Sequence, residues 1–193
     1  MSHYFENDNN LVSDIKPFNI SINDSNFTFN TDNGVFSKGE LDFGTNLLIK
    51  DVLKLNISGD ILDLGCGYGA IGIILAKLTN SNVMMSDVNR RAIHLTKMNA
   101  KKNGVSVNAI ESDGYENIDN SFNYIISNPP IRVGKKKLYE LLFDSKKHLK
   151  ENGKLIIVIR KEQGALSLMK DMSNDYKIEV LDKTKGFMII ALS

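Results

Sequence analysis

A single cysteine, Cys66, in 193 residues excludes an internal disulfide and points to a reducing compartment, the cytoplasm. No apolar run approaches the roughly 20 residues that a membrane-spanning helix needs. The opening stretch, MSHYFENDNN, carries neither the basic region nor the apolar region of a secretion signal. The histidines, His3, His94 and His148, are scattered without metal-ligand spacing, so no metal is expected. There is no internal repeat and no low-complexity linker. What remains is an ordinary globular composition, 42% apolar and 24% charged, which argues against disorder and suffices for the core of one domain.

The net charge of +1 hides an asymmetry. Residues 1–60 hold 4 basic and 9 acidic side chains; residues 61–193 hold 20 basic and 14 acidic. A basic second part would help to hold a polyanion. The alternative is that these lysines only solubilise the surface.

Residues 18–22 and 27–29 alternate apolar and polar side chains around Asn23-Asp24-Ser25-Asn26, which predicts a β-hairpin. Residues 44–55 predict a helix leading into the main domain. From residue 60 onward, strands alternate with helices: strand 61–64, helix 70–78, strand 82–86, helix 89–103, strands 105–110 and 122–127, helix 137–150, strand 155–159, helix 165–172, and strands 176–182 and 186–192. Asn103-Gly104 and Asn152-Gly153 read as helix stops. Leu138, Leu141, Leu142, Ser145 and Leu149 share one helical stripe. This order predicts a doubly wound α/β fold with a mostly parallel sheet and right-handed crossovers. Lys183-Thr184-Lys185-Gly186 predicts a closing hairpin, hence one antiparallel strand at the end of the sheet. The expected organisation is a hairpin and lead-in segment over residues 1–45 and a catalytic domain over 46–193, in a monomer.

Asp63-Leu64-Gly65-Cys66-Gly67-Tyr68-Gly69 lies between the first core strand and its helix, where open α/β sheets bind ligands. The glycines alone are ambiguous, since Gly65-x-Gly67-x-x-Ala70 and Gly67-x-Gly69-x-x-Gly72 both satisfy the dinucleotide pattern. Asp63 separates the possibilities. A carboxylate here would repel a pyrophosphate but attract the sulfonium and ammonium of S-adenosylmethionine, by about 1 kcal/mol per pair in water and several times that when partly buried. Its alternative role is to cap the loop backbone. Asp87, with Val88 at the end of the second core strand, is placed to accept the ribose hydroxyls of an adenosine, or else to cap the following helix. Asp113-Gly114 offers an acceptor for the adenine amino group, or is an ordinary turn.

Ser127-Asn128-Pro129-Pro130-Ile131 follows the next strand on the same sheet edge. Two consecutive prolines stiffen the turn, leaving the Asn128 side-chain oxygen and backbone carbonyls on a rigid rim. Such acceptors suit an exocyclic amine, whose hydrogens they hold while its lone pair faces the methyl donor. Methyl transfer needs mainly in-line positioning, which fits the lack of a histidine base. Cys66 reads as a small residue in a tight loop.

Asp63 to Gly69, Asp87 and Asn128 to Ile131 resemble the class I methyltransferases, which use S-adenosylmethionine. Within that class the chain is similar to the guanine-N2 methyltransferases of small-subunit ribosomal RNA, over about residues 25–192. The segment Gly34 to Thr45 (GVFSKGELDFGT) looks like the part of that family that packs over the cofactor. The resemblance implies a seven-stranded Rossmann-like sheet with one antiparallel member. It also implies an amine gripped by Asn128 and the Pro129 carbonyl, and Phe36 and Asp42 near the cofactor. Two departures stand out. The family has a base-stacking aromatic where this chain has Ile131, for which Phe36 or Tyr68 is a candidate replacement. Better-known members also carry two tandem domains.

Arg132, Lys135, Lys136 and Lys137 adjoin the rim. They suit phosphate contacts, the alternative being a solvated helix start that the helix dipole disfavours. The leading expectation is transfer of a methyl group to guanine N2 in ribosomal RNA. The same rim would also hold a protein glutamine amide or a small-molecule amine. A nicotinamide-dependent dehydrogenase would require NADH to bind instead, and a catalytically inactive cofactor-binding module conflicts with the intact loop and rim.

Overall fold

A computed structural model describes residues 11–193; the reading of the leader, and of His3 within it, concerns residues 1–10 and lies outside them. The described chain opens with the hairpin β1 (Lys16–Ile22) and β2 (Ser25–Thr31). Its turn is tighter than the four-residue connection expected. Asn23 and Asp24 alone reverse the chain, at φ 46° and 60°, while Ser25 and Asn26 pair with Ile22 and Ser21. Two successive positive φ angles match the strand twist, and Asn and Asp tolerate them.

The main body follows as α1 (Phe43–Lys54), β3 (Gly59–Leu64), α2 (Ala70–Leu78), β4 (Ser81–Asp87), α3 (Arg90–Lys102), β5 (Asn108–Glu111), β6 (Phe122–Ser127), α4 (Lys135–Asp144), β7 (Leu149–Arg160), α5 (Ala165–Met172), β8 (Ile178–Thr184) and β9 (Phe187–Leu192). Seven strands form one sheet in the order β5-β4-β3-β6-β7-β9-β8. All neighbours from β5 to β7 pair in parallel. β9 runs antiparallel to both β7 and β8.

The antiparallel strand therefore lies one place inside the sheet, not at its end. The composition explains the order. Every residue of β9 from Met188 to Leu192 is buried, so it needs a neighbour on each side. β8 carries Glu179, Asp182 and Lys183, none of them buried, and tolerates an edge.

A second correction concerns Asn152-Gly153. It does not stop a helix: α4 ends at Asp144, a 3-10 turn covers Ser145–His148, and β7 already starts at Leu149. Asn152 sits at φ 60°, and the pairing register shifts between Phe122 and Tyr124. A Cβ on Gly153 would lie 2.9 Å from the Lys150 carbonyl oxygen and 3.0 Å from that of Phe122. The pair is a bulge inside a strand.

One face of the sheet is covered by α1, α2, α3 and the hairpin, with Leu48, Ile73, Leu95, Phe27 and Phe29 in one apolar cluster. The other is covered by α4 and α5 through Leu138, Leu142, Leu168 and Met172. The hairpin is held on α3 by two asparagines. Asn99 accepts from the Asn30 N–H at 2.7 Å and donates to its carbonyl at 2.9 Å. Asn103 treats Thr28 the same way, at 3.0 and 2.9 Å. Side-chain amides thus complete the edge of β2 as a neighbouring strand would.

Candidate active site

Strand order reverses between β3 and β6, which opens a crevice beyond their carboxyl ends. The glycine loop lies on one side and the Asn-Pro-Pro rim on the other. Ser127, at the end of β6, donates its hydroxyl to the Leu64 carbonyl at 2.7 Å. That bond ties the two walls together.

The loop glycines divide by task. Gly65 and Gly67 have φ 72° and 57°, and a Cβ on either would meet nothing within 4 Å. They face open space, as a cradle for a ligand requires. Gly69 and Gly72 instead allow close helix–strand packing, since a Cβ on Gly72 would lie 2.5 Å from the Met85 methyl carbon. Cys66 is buried, its thiol pKa is raised well above normal by burial, and its sulfur lies 3.6 Å from the Thr96 hydroxyl. An inert small residue fits that environment.

Asp63 is fully buried beneath this loop. One carboxyl oxygen accepts the Gly72 N–H at 2.8 Å, within the first turn of α2. The other, Oδ1, has no partner among the described residues. Burial, with a smaller contribution from the charge of Asp87, pushes the Asp63 pKa up to about 7. Asp87 accepts from Gly67 N–H and Asn89 N–H, each at 2.8 Å, and from the Val88 N–H. Burial raises its pKa against the pull of those donors. The helix cap assigned to Asp87 as an alternative belongs instead to Asn89, which accepts from Arg91 N–H at 2.9 Å. A floor with two carboxyl groups, one holding an unpaired buried oxygen, suits a cationic ligand and disfavours a pyrophosphate. The residues present therefore fit S-adenosylmethionine.

The other expected residues have partners or surroundings of their own, and for Tyr68 these exclude the expected stacking role. Tyr68 is buried between Phe18 and Phe29, with ring centroids at 5.8 and 5.6 Å, and donates its hydroxyl to the Glu40 carbonyl. Its ring is in the core and cannot stack on a base. Asp42 caps α1, accepting from Thr45 N–H at 3.1 Å. Asp113 accepts from Lys137 at 2.8 Å, and Gly114, at φ 57°, is held by the Ser112 hydroxyl. Phe36 is 45% exposed. Its segment is pinned to the crevice walls, at Gly34 by the Asn89 amide (2.9 Å) and at Glu40 by Tyr68 (3.2 Å).

On the rim, Asn128 is half-buried and donates its amide Nδ2 to the Thr45 hydroxyl at 2.9 Å. Pro129 is buried, and the Pro130 carbonyl accepts from Val133 N–H as the chain enters a 3-10 turn over Ile131–Val133. Thr45 escaped the sequence reading. Asp42 three residues ahead is a capping signal for its backbone, but nothing local links its hydroxyl to Asn128, 83 positions on. The lysine run is also less free than expected. Lys135 meets Asp171 at 3.1 Å, Lys136 meets Glu140 at 3.9 Å, and Lys137 meets Asp113 at 2.8 Å. These carboxylates offset the charge that the helix start would otherwise repel. The side chain of Arg132 is outside what the structure describes.

Residues 26–191 match the family described as the methyltransferase small domain. The chain belongs to that family, and it is an S-adenosylmethionine-dependent methyltransferase. Among its relatives, it is 40% identical over 193 residues to "Uncharacterized protein YbxB" of Bacillus subtilis (strain 168), covering 97% of this chain and 96% of that one. It is 32% identical to ribosomal RNA small subunit methyltransferase C of Vibrio parahaemolyticus, covering 93% of this chain and 56% of the relative. The fold is shared with the Thermus thermophilus 16S rRNA N2 G1207 methyltransferase, solved with AdoMet and guanosine. That match has a TM-score of 0.82 at 22% identity and covers 93% of this chain and 50% of that one. The chain thus spans about half the length of these ribosomal RNA methyltransferases. No helix among the described residues is long and apolar enough to cross a membrane, and no cluster among them offers a metal site.

Proposed function

We propose that the chain methylates an exocyclic amino nitrogen, N2 of a guanine in small-subunit ribosomal RNA, and works in the cytoplasm. The observation that carries this reading is the polarity of Asn128. Its Nδ2 is engaged by the Thr45 hydroxyl, so its Oδ1 is the atom left to face a substrate. A carboxamide oxygen is an acceptor only and needs a donor on the substrate; paired with a second acceptor on the rim it suits an NH2 group, which has two hydrogens to give, better than a hydroxyl, which has one. The relatives named for ribosomal RNA methylation support the same acceptor class.

S-adenosylmethionine supplies an electrophilic methyl carbon on a sulfonium. The Asn128 Oδ1 and the Pro129 carbonyl hold the two amine hydrogens, which turns the nitrogen lone pair toward the crevice. Asp63 and the Gly65–Gly67 cradle would hold the cationic end of the cofactor, and Asp87, Val88 and the Asp113-Gly114 turn would border its adenosine end. No base is required: the nitrogen–carbon bond would form as the methyl–sulfur bond breaks with its electron pair staying on sulfur, which leaves a neutral thioether, and the extra proton on nitrogen would then pass to solvent. The histidines among the described residues are elsewhere: His94 is exposed on α3, and His148 is stacked on Tyr115 at 4.4 Å. Mass mapping of methylated nucleosides in ribosomal RNA from cells with and without the protein tests this reading. One N2-methylguanosine should disappear from the small subunit, and an unchanged nucleoside map would refute it.

A further inference from the structure

We infer that the RNA next to the target nucleotide docks on an aromatic and cationic ledge formed by Phe43, Phe187, Arg160 and Lys185, a surface the lysine run does not include. The inference rests on the RNA reading above and assigns that reading its contact surface. The ledge is built where three elements meet at the crevice edge of the sheet. β7 ends at Arg160, directly paired with Phe187 at the start of β9. The Lys185-Gly186 turn is fastened to the end of β7 by the Lys161 N–H, which donates to the Gly186 carbonyl at 2.8 Å. α1 begins with Phe43, whose ring centroid lies 5.4 Å from that of Phe187.

This ledge is coupled to the catalytic rim by direct contact. The Phe187 ring lies so close to Gly44 that a Cβ there would come within 2.8 Å of it. The next residue, Thr45, holds the Asn128 amide. A strand of RNA on the ledge would therefore lie against the start of the helix whose Thr45 holds Asn128. The chemistry is that of single-stranded RNA recognition, in which cations take phosphates and aromatic faces take bases. Phe43 is 40% exposed. Lys185 lies over its ring at 5.1 Å, and the Arg160 guanidinium lies over Phe187 at 4.5 Å. Lys185 has no carboxylate partner among the described residues, and neither does Lys50, which is exposed two turns along α1 from Phe43. Arg160 pairs with the exposed Glu162 at 3.1 Å. Lys135, Lys136 and Lys137 each already face a carboxylate, whereas Lys185 and Lys50 have none among the described residues to give up for a phosphate.

The test compares the full-length protein with the R160E/K185E and Phe43→Leu variants. Anisotropy of a fluorescein-labelled single-stranded oligoribonucleotide is read across a salt series, with calorimetric S-adenosylmethionine affinity as the check on folding. For R160E/K185E, two lost phosphate contacts should lower the slope of log K against log salt by about 1.4, at about 0.7 per contact. Phe43→Leu keeps the apolar contact with Phe187 but loses a stacking face, and should weaken binding about tenfold with the slope unchanged. Cofactor affinity should match the parent in both. Parent-like RNA affinity and salt slope in R160E/K185E would overturn the ledge and leave the RNA reading standing. A parent protein with no affinity for the oligoribonucleotide and no methylation of ribosomal RNA would overturn the RNA reading, and the ledge with it.

Discussion

Replacing Asp63 with Asn separates the two things this buried carboxyl does. The amide oxygen can still accept the Gly72 N–H, while the ionisable group is removed. In the free protein Asp63 has a pKa of about 7, raised by burial from 3.8. The raised folded-state value means that its contribution to stability is complete below the unfolded value, falls as pH rises between the two, and is constant above pH 7. The change in wild-type stability relative to Asp63→Asn across that window is at most about 4 kcal/mol, from about 1.4 kcal/mol per pKa unit. The buried NH2 that replaces Oδ1 costs the variant about 1–3 kcal/mol at every pH. Melting curves followed by circular dichroism should therefore change order, with the wild type more stable near pH 4.5 and the variant more stable near pH 8. At about 2–4 °C per kcal/mol for a chain of this size, the difference between the two midpoints should shift by several degrees. On the proposed pairing of its cation with the ionised Asp63, S-adenosylmethionine should reverse the order at pH 8, since the amide cannot match a charge-assisted bond worth about 1.5–3 kcal/mol. Calorimetry should then show cofactor affinity reduced roughly 10- to 100-fold in the variant. Melting curves that stay parallel between pH 4.5 and 8, or an unchanged cofactor affinity, would refute the assignment of an ionisable cofactor ligand beneath the loop.

The other predictions concern the rim and the loop. Asn128→Ala should leave S-adenosylmethionine affinity intact and abolish methyl transfer; near-normal turnover would count against the amine grip. Thr45→Val keeps shape and burial but frees the Asn128 amide to flip, so kcat should fall about tenfold, the equivalent of one hydrogen bond, at constant cofactor affinity; an unchanged kcat would release Thr45 from a positioning role. Gly67→Ala should weaken cofactor binding with little change in core packing, since it places a methyl in the open cradle at a strained φ of 57°. Gly72→Ala should do the reverse, lowering the melting temperature by pushing on Met85. Equal effects of the two glycine substitutions on cofactor titrations would refute the division of the loop into cradle and packing residues.

The local alternation of strands and helices was legible because it depends on periodicity and punctuation, which act within a few residues. α2 over Ala70–Leu78, β6 over Phe122–Ser127 and α5 over Ala165–Met172 match their expected spans. So does the meeting of the glycine loop and the Asn-Pro-Pro rim at one sheet edge, since a parallel βαβ order places both turns beyond carboxyl ends. By itself the sequence determined the doubly wound fold, the class of cofactor and the position of the Asn-Pro-Pro rim beside the glycine loop. It did not determine partnerships across the chain, because these depend on which side chains tertiary packing brings within hydrogen-bond reach. Only the folded structure decided that Asn152-Gly153 is a bulge, where the backbone of Phe122 excludes any side chain, and that β9 lies inside the sheet, where its apolar residues are covered on both flanks. Packing also sent Tyr68 into the hairpin core, spent the lysine run on Asp171, Glu140 and Asp113, and set the direction of Asn128 through a hydroxyl on a distant helix.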